Sequence, residues 1–493
     1  MKYKKNYKML IDGKWVNSSN GKRFDSINPF SQESWCSIPE ATVQDVDKAV
    51  NAAHNAFKNS KWTKMTPSER GVLLENLANL LEKNSENLGK IESLDTGKLL
   101  SETRWQAKYI ASFFRFFGGC ADKISGETLP IDKNDLFVYT ERVPIGVVAA
   151  VVPWNSQLFL VAVKIGPALA AGNTIVLKCS EHASAAMLEF GKLIEKAGIP
   201  SGVVNIITGH ASPCGEALTK HPKISRISFT GGEEAAKKII VNSINNLAEI
   251  SLELGGKSPI IVFDDCQIES AVNACMAGIF GASGQSCVAG SRLYLQENIS
   301  DIFIKKLLSK VKKIKLGDPI LDDTQMGPLC TKNQKEKIIK EIKKSVQQGA
   351  KIIFGGSPNS DKNDFFFPPT ILDCSTQKFK IMDTELFGPV LCFSKFKDEK
   401  EVIKLANETK YGLAAGIFTK NMSKGLRVSK KIHAGIIWIN TYRVVSPIAE
   451  FGGFNHSGNG RESGFQAIFD YTNTKTVWIN TSDEPIKNPF VMR

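Results

Sequence analysis

The chain has 493 residues, 42% hydrophobic and 23% charged, a make-up that fits an ordinary globular protein and excludes a disordered, collagen-like or coiled-coil one. At roughly 150 residues per unit, that length predicts about three domains. The formal net charge of +13 lies on scattered lysines such as Lys305, Lys306, Lys310, Lys312, Lys313 and Lys315, interleaved with Ile, Leu and Val as on a solvated helix face.

The sequence has no RNA-recognition motif, zinc finger or basic zipper, so no nucleic-acid partner is expected. Ten cysteines contain no Cys-x-x-Cys pair, which predicts reduced thiols and a cytoplasmic location. The lysine-rich start lacks an apolar core of signal-peptide length. The longest apolar run, Val147 to Pro153, is far below the ~20 residues that span a bilayer, so no membrane partner is expected.

In chain order, Leu10 to Pro29 reads as short strands, with hairpin-turn signals at Asp12-Gly13 and Asn20-Gly21. From Val43 to about Ser125 the apolar residues recur at three and four, as in Leu73, Leu74, Leu77, Leu80 and Leu81, which predicts helices. From Gly146 the pattern changes to buried strands alternating with helices: "GVVAAVVPW", "NTIVLKC", a helix from Ala183 to Ala197, "VVNIITG" and "ISRISFTG". A second alternating segment begins at "SPIIVFD". It continues through helices Ile268 to Ala282 and Ile302 to Lys313, then the strands "AKIIFGG", "GPVLCFSKF" and "AGIIWIN". The boundary between the two is expected near Gly255-Gly256. The tail "TVWINTSDEP" reads as a strand available to pair with another subunit.

Five short motifs carry candidate chemistry. Cys287 stands in "GASGQSCVAGSR", a Gly/Ser-rich loop that permits close approach and exposes N–H groups to an oxyanion. Taken alone, such a cysteine is more often structural. Glu253 in "LELGGKSP" ends an apolar strand, where partial desolvation would make a usable general base; a surface glutamate before a turn is an equal reading. Asn155 in "VPWN" follows the strand opening the alternating series, where ligands of open α/β sheets bind, although an Asn there is more often a helix cap. Lys178 and Glu181 in "LKCSE" could hold a ribose diol or form an exposed ion pair. Gly231 and Gly232 in "FTGGEEAA" lead a strand into a helix start, a weak anion-site signal on its own.

Together, in this order, the five motifs resemble the NAD(P)-dependent aldehyde dehydrogenase superfamily, from "IDGKWV" through "ELFGPV" to "FGGFNHSGNGRESG". The resemblance implies an α/β fold with three parts: a Rossmann-like coenzyme domain (1–125 and 145–255), an α/β catalytic domain (256–456), and a small β oligomerisation arm (126–144 and 472–493). It implies a homodimer or homotetramer that oxidises a small-molecule aldehyde with NAD rather than NADP and without a metal. Cys287 would be the nucleophile, Asn155 and the Cys287 N–H the oxyanion donors, and Glu253 the base that hydrolyses the thioester and could also deprotonate the thiol. Val152, Trp154, Lys178, Glu181, Gly231, Gly232, Glu385 and Phe387 would bind the coenzyme.

For the substrate, the resemblance implies a tunnel lined by Ser156, Val163, Gly281, Arg443 and Phe451, widened by small residues at the first three positions. The Arg443 guanidinium suits a carboxylate or carbonyl on the substrate tail; pairing with Glu450 or pointing to solvent is the alternative. Two departures from the family stand out: Gly232 and Ala236 replace a serine and a glycine at the pyrophosphate helix, and Asn473 replaces a carboxylate expected as auxiliary proton acceptor. A CoA-acylating semialdehyde dehydrogenase is the second enzyme reading, against which Glu253 argues because a thioester bound for CoA needs no hydrolytic base. A binding protein that kept only the fold is the third, and it would be expected to have lost Cys287 or Glu253.

Overall fold

The computed structural model describes residues 5–357, 364–486 and 488–491. The pieces of the expected domains at 1–4, 358–363, 487 and 492–493 lie outside these. An eight-stranded sheet runs in the order Gly458–Asn459, Glu249–Glu253, Arg226–Thr230, Val147–Val151, Thr174–Lys178, Val204–Ile207, Met9–Ile11, Lys14–Val16. Its five central strands are parallel; Gly458–Asn459 at one edge and Met9–Ile11 at the other side run antiparallel to them, and the outermost Lys14–Val16 is antiparallel to Met9–Ile11. Because successive side chains of a strand face opposite ways, Val147 and Ala149 pack with helix Val43–Asn59 on one face. Val148 and Ala150 pack with helices Gln157–Ala170 and Ala185–Lys196 on the other. Burial on both faces is why these strands read as continuous apolar runs.

Helices Val43–Asn59 and Pro67–Lys83 each begin with a capping box, Thr42/Asp45 and Thr66/Glu69, which satisfies two otherwise orphaned backbone donors. The Asp12-Gly13 turn is the expected hairpin, with both residues at positive φ (52° and 67°) between Met9–Ile11 and Lys14–Val16. Asn20-Gly21 is a turn but not a hairpin, since Arg23–Ile27 pairs with the later strand Ser34–Pro39 instead.

The chain crosses to a seven-stranded sheet between Glu253 and Pro259. Its order is Lys351–Phe354, Thr370–Asp373, Val390–Phe396, Arg292–Gln296, Pro259–Val262, Ala414–Phe418, Ile436–Ile439, all parallel except the first. The strands Arg292–Gln296, Thr370–Asp373 and Ala414–Phe418 were not singled out from sequence. Leu136–Pro144 and Thr472–Asn480 form a nine-pair antiparallel ribbon, so the C-terminal strand pairs within its own chain. The ribbon exposes Phe137, Trp478 and Ile479. No helix among the described residues is long and apolar enough to cross a membrane.

Candidate active site

The strand order reverses between Val147–Val151 and Arg226–Thr230, the switch point at which open α/β sheets bind ligands beyond their carboxyl ends. Val152–Asn155, Cys179–Glu181, Gly231–Gly232 and the terminal Glu253 all emerge on that side. All of these but Cys179 line a cleft of about 850 Å³, which Cys287, Glu385 and Phe387, on loops leading into the second sheet, complete. All three residues expected at the reacting centre, and all eight expected at the coenzyme, line this cleft.

Nine of the ten cysteines are buried; only Cys287 is partly exposed. Helix Ile268–Phe280 stops two residues before the expected Ala282, because the chain turns through three left-handed residues, Ala282, Ser283 and Gly284 (φ 52°, 53° and 71°). For the two non-glycine residues this costs roughly 1–2 kcal/mol each, so neighbours must hold the turn. At Gly284 a Cβ would lie 2.2 Å from the backbone of Gly388, and at Gly256 a Cβ would lie 2.7 Å from the carbonyl of Cys287. Burial, Glu385 and Glu253 push the Cys287 thiol up to about 12, against an opposing contact from the Val288 N–H. The thiol therefore needs a proton acceptor before it attacks.

Asn155 donates one amide hydrogen from Nδ2 to the Gln285 carbonyl at 3.2 Å, which ties it to the cysteine loop and leaves its second hydrogen free. The Cys287 N–H has no acceptor among the described residues. The cleft thus offers two N–H donors, one on Cys287 itself and one on a side chain tied to its loop.

Glu253 is 4% exposed, and its Oε1 is unpartnered among the described residues. Burial first, and then Glu462, raise its pKa well above the ordinary carboxylate range; Lys164 and Arg461 oppose the shift. Its carboxylate lies against Gly452, where a Cβ would come within 2.7 Å of Oε1. Behind it, the buried Lys164 ammonium pairs with Glu462 and donates to Ser228 Oγ at 3.1 Å. The expectation that Asn473 marks the auxiliary acceptor position is corrected: Asn473 is exposed on the ribbon, and the second carboxylate near Glu253 is Glu462. Lys164 had a readable signal, a lone charge inside the otherwise apolar "QLFLVAVKIGPALA".

The coenzyme end of the cleft fits a dinucleotide. Lys178 Nζ lies 3.6 Å from Glu181 Oε2. Burial works against the Glu181 carboxylate, but Lys178, its own N–H, His182 and His210 hold it below the usual range. Helix Glu233–Asn242 starts at Gly232 without a side-chain cap, which leaves its first N–H groups open to an anion. A Cβ at Gly232 would meet nothing within 4 Å, and the buried Thr230 Oγ1 lines the cleft without a partner among the described residues. Glu233, in the first turn, is neutralised by Lys237 and Lys410. Glu385 accepts from the Gly256 N–H at 3.0 Å. Phe387, left-handed at φ 55°, packs edge-to-face on Trp154 with 5.5 Å between centroids.

None of the five substrate-side expectations is among the residues that line this cleft. Ser156 accepts from the buried Lys98 ammonium at 3.2 Å, and Val163 is 1% exposed within the core, where it lines no open tunnel. Phe451 pairs through its backbone with Glu462 and packs, as Cys287 does, against the core of the second sheet. Arg443, left-handed at φ 63°, donates to the Ala277 carbonyl at 2.8 Å and sits over Gly281. No carboxylate among the described residues lies within ion-pair distance of it, Glu450 included, and its field lowers the pKa of Cys287.

A doubly wound sheet, a dinucleotide-sized cleft and one partly exposed thiol lining it define a nicotinamide-dependent oxidoreductase. The chain belongs to the aldehyde dehydrogenase family, which it matches over residues 15–477. It is 53% identical over 488 residues to the (Z)-2-((N-methylformamido)methylene)-5-hydroxybutyrolactone dehydrogenase of Acinetobacter baylyi, covering 99% of both chains. It is 43% identical over 480 residues to the cytosolic aldehyde dehydrogenase 1 of Rattus norvegicus, covering 97% and 95%. A point mutant of the betaine aldehyde dehydrogenase of Staphylococcus aureus, solved with NAD+, superposes with a TM-score of 0.95 at 38% identity over 98% of each chain. The protein is an enzyme that oxidises aldehydes with a nicotinamide coenzyme, and the CoA-acylating alternative is not favoured.

Proposed function

We propose that this enzyme converts a polar or anionic aldehyde to its carboxylic acid by a hydrolytic route, with NAD preferred over NADP. The observation that carries the reading is that Cys287, Asn155 and Glu253 line one cleft, with Asn155 tied to the cysteine loop and Glu253 close enough to shift the thiol. The Cys287 thiol passes its proton to solvent in the cleft as sulfur bonds to the aldehyde carbon, and the oxygen becomes an oxyanion held by Asn155 and the Cys287 N–H. A bound nicotinamide supplies the acceptor for the hydride that leaves this carbon. Loss of hydride re-forms the carbonyl as a thioester. Glu253 then takes a proton from water as the water oxygen attacks, the carbon–sulfur bond breaks to release the acid, and the departing thiolate takes that proton back from Glu253.

The NAD preference rests on Glu181. Its carboxylate, held ionised beside Lys178, would repel a 2′-phosphate. Wild type is expected to favour NAD, and Glu181→Ser to raise the NADP-to-NAD ratio of kcat/KM by about tenfold or more. Comparable values for the two coenzymes in wild type would refute the role of Glu181.

The substrate class rests on Arg443, whose guanidinium keeps unused donors near the thiol. A 5-hydroxybutyrolactone, the substrate type in the name of one relative, is the ring-closed form of an acid that carries an aldehyde, which supports an anionic substrate. NADH formation is to be measured on matched anionic and neutral aldehydes, with and without CoA. Arg443→Ala should lower kcat/KM for the anionic aldehyde about tenfold or more while leaving the neutral one nearly unchanged, as for loss of a charged hydrogen bond. An unchanged anionic-to-neutral ratio removes Arg443 from recognition, and acceleration by CoA removes the hydrolytic route.

The ribbon, with Phe137, Trp478 and Ile479 exposed, serves as the arm of a homodimer or homotetramer in this reading. Residues 1–125 and 145–255 act as the coenzyme domain and 256–456 as the catalytic domain. Ten free cysteines fit a cytoplasmic enzyme.

A further inference from the structure

We infer that Glu102 is a positioning residue for the reaction: from helix Leu100–Cys120 its carboxylate holds the strained turn that presents both the nucleophile and the oxyanion donor. The inference rests on the reading of Cys287 as nucleophile. Glu102 Oε1 accepts from the Ala282 N–H at 3.1 Å, across 180 residues of sequence. Ala282 is the first of the three left-handed residues before Cys287, and its backbone gains nothing from the helix that ends at Phe280.

The rest of the turn is held by its own loop and by the second half of the chain. Ser283 Oγ donates to the Gly327 carbonyl at 2.8 Å, and the Gln285 N–H donates to the Ala282 carbonyl at 3.0 Å. Glu102 instead brings the first half of the chain onto it. The same turn carries the Gln285 carbonyl to which Asn155 is tied. A shift of residues 282–285 therefore moves the sulfur and the amide donor together, and such groups lose rate steeply with small misplacement.

Glu102 Oε2 is buried and has no partner among the described residues. A carboxylate oxygen shielded from water without compensation is costly, so a glutamate that served only solubility would not be kept in this place. Over the neighbouring Gly281, a Cβ would lie 2.6 Å from Arg443 Nη1 and 3.8 Å from Glu102 Oε1. The two side chains flank the turn without forming an ion pair, so what Glu102 does there is its bond to Ala282. Glu102 acts through the backbone and is not a catalytic residue.

The test uses full-length Glu102→Ala and Glu102→Gln, the latter keeping an acceptor oxygen. Three quantities are read: alkylation of Cys287 by iodoacetamide, the NADH burst rate, and the dissociation constant for NAD. In the alanine variant the first two should slow about tenfold while coenzyme affinity holds within about twofold, and glutamine should restore most of the loss. Glu102→Met, similar in length but without an acceptor, should match the alanine variant and replaces it if alanine prevents folding. Alkylation and burst at wild-type rates in alanine or methionine, or a glutamine variant as slow as they are, overturn the inference. Wild type that stays fully active after complete alkylation of Cys287 overturns the nucleophile reading beneath it.

Discussion

Cys287→Ala is expected to reduce aldehyde oxidation below roughly a hundredth of wild-type turnover while leaving NAD affinity nearly unchanged. Without the sulfur no thiohemiacetal forms, and hydride has no tetrahedral carbon from which to leave. No other thiol can stand in, since the nine remaining cysteines are buried. The coenzyme end of the cleft, with Lys178, Glu181 and the open helix start at Gly232, does not touch Cys287, which is why binding survives. Cys287 is only partly buried, so the lost atom leaves little cavity and the melting temperature should change little. NADH formation and quenching of tryptophan fluorescence by NAD read the two sides. Retention of more than a few per cent of turnover would place the nucleophile elsewhere.

Glu253→Gln is expected to form the acyl-enzyme and then stall. Glutamine keeps the shape that packs against Gly452 but cannot take a proton from water, so a rapid NADH burst should precede a steady state lowered roughly 10²- to 10³-fold. The sign of the electrostatics favours survival of the burst. Glu253 is one of the negative neighbours that raise the Cys287 thiol, and a neutral amide removes that push, so the thiol becomes easier to ionise. The pH profile is a second signature. Because Glu253 acts deprotonated and its pKa is raised, wild-type deacylation should climb with pH through a midpoint above the ordinary carboxylate range, and the variant should lose that climb. Loss of the burst would make Glu253 the indispensable activator of Cys287.

What the sequence determined by itself was whatever depends on near neighbours along the chain. Strands buried on both faces announce themselves as runs such as Val147–Val151 and Pro259–Val262, and Asp12-Gly13 announces a turn that needs two left-handed residues. Four of the five motifs sit at or just past strand ends and the Cys287 motif just past a helix end, and these short stretches sufficed to single out residues that the fold gathers around one cleft. Residues that act through partners far along the chain were not legible in this way. Lys164 and Glu462 meet across 298 residues and Glu102 and Ala282 across 180, by the return of the chain to the sheet edge and the packing of one helix on a loop of the other half. No local spacing encodes such pairs. Asn473 was mistaken for the auxiliary carboxylate position for the same reason: its segment looked right in sequence, but the ribbon carries it into solvent while Glu462 is brought in beside Glu253. Val163 and Arg443 show the remaining limit. Whether a small residue widens a tunnel or fills a core, and whether a guanidinium finds Glu450 or a backbone carbonyl, is settled only when sheets and helices pack, because burial and pairing belong to the assembled chain and not to the residue.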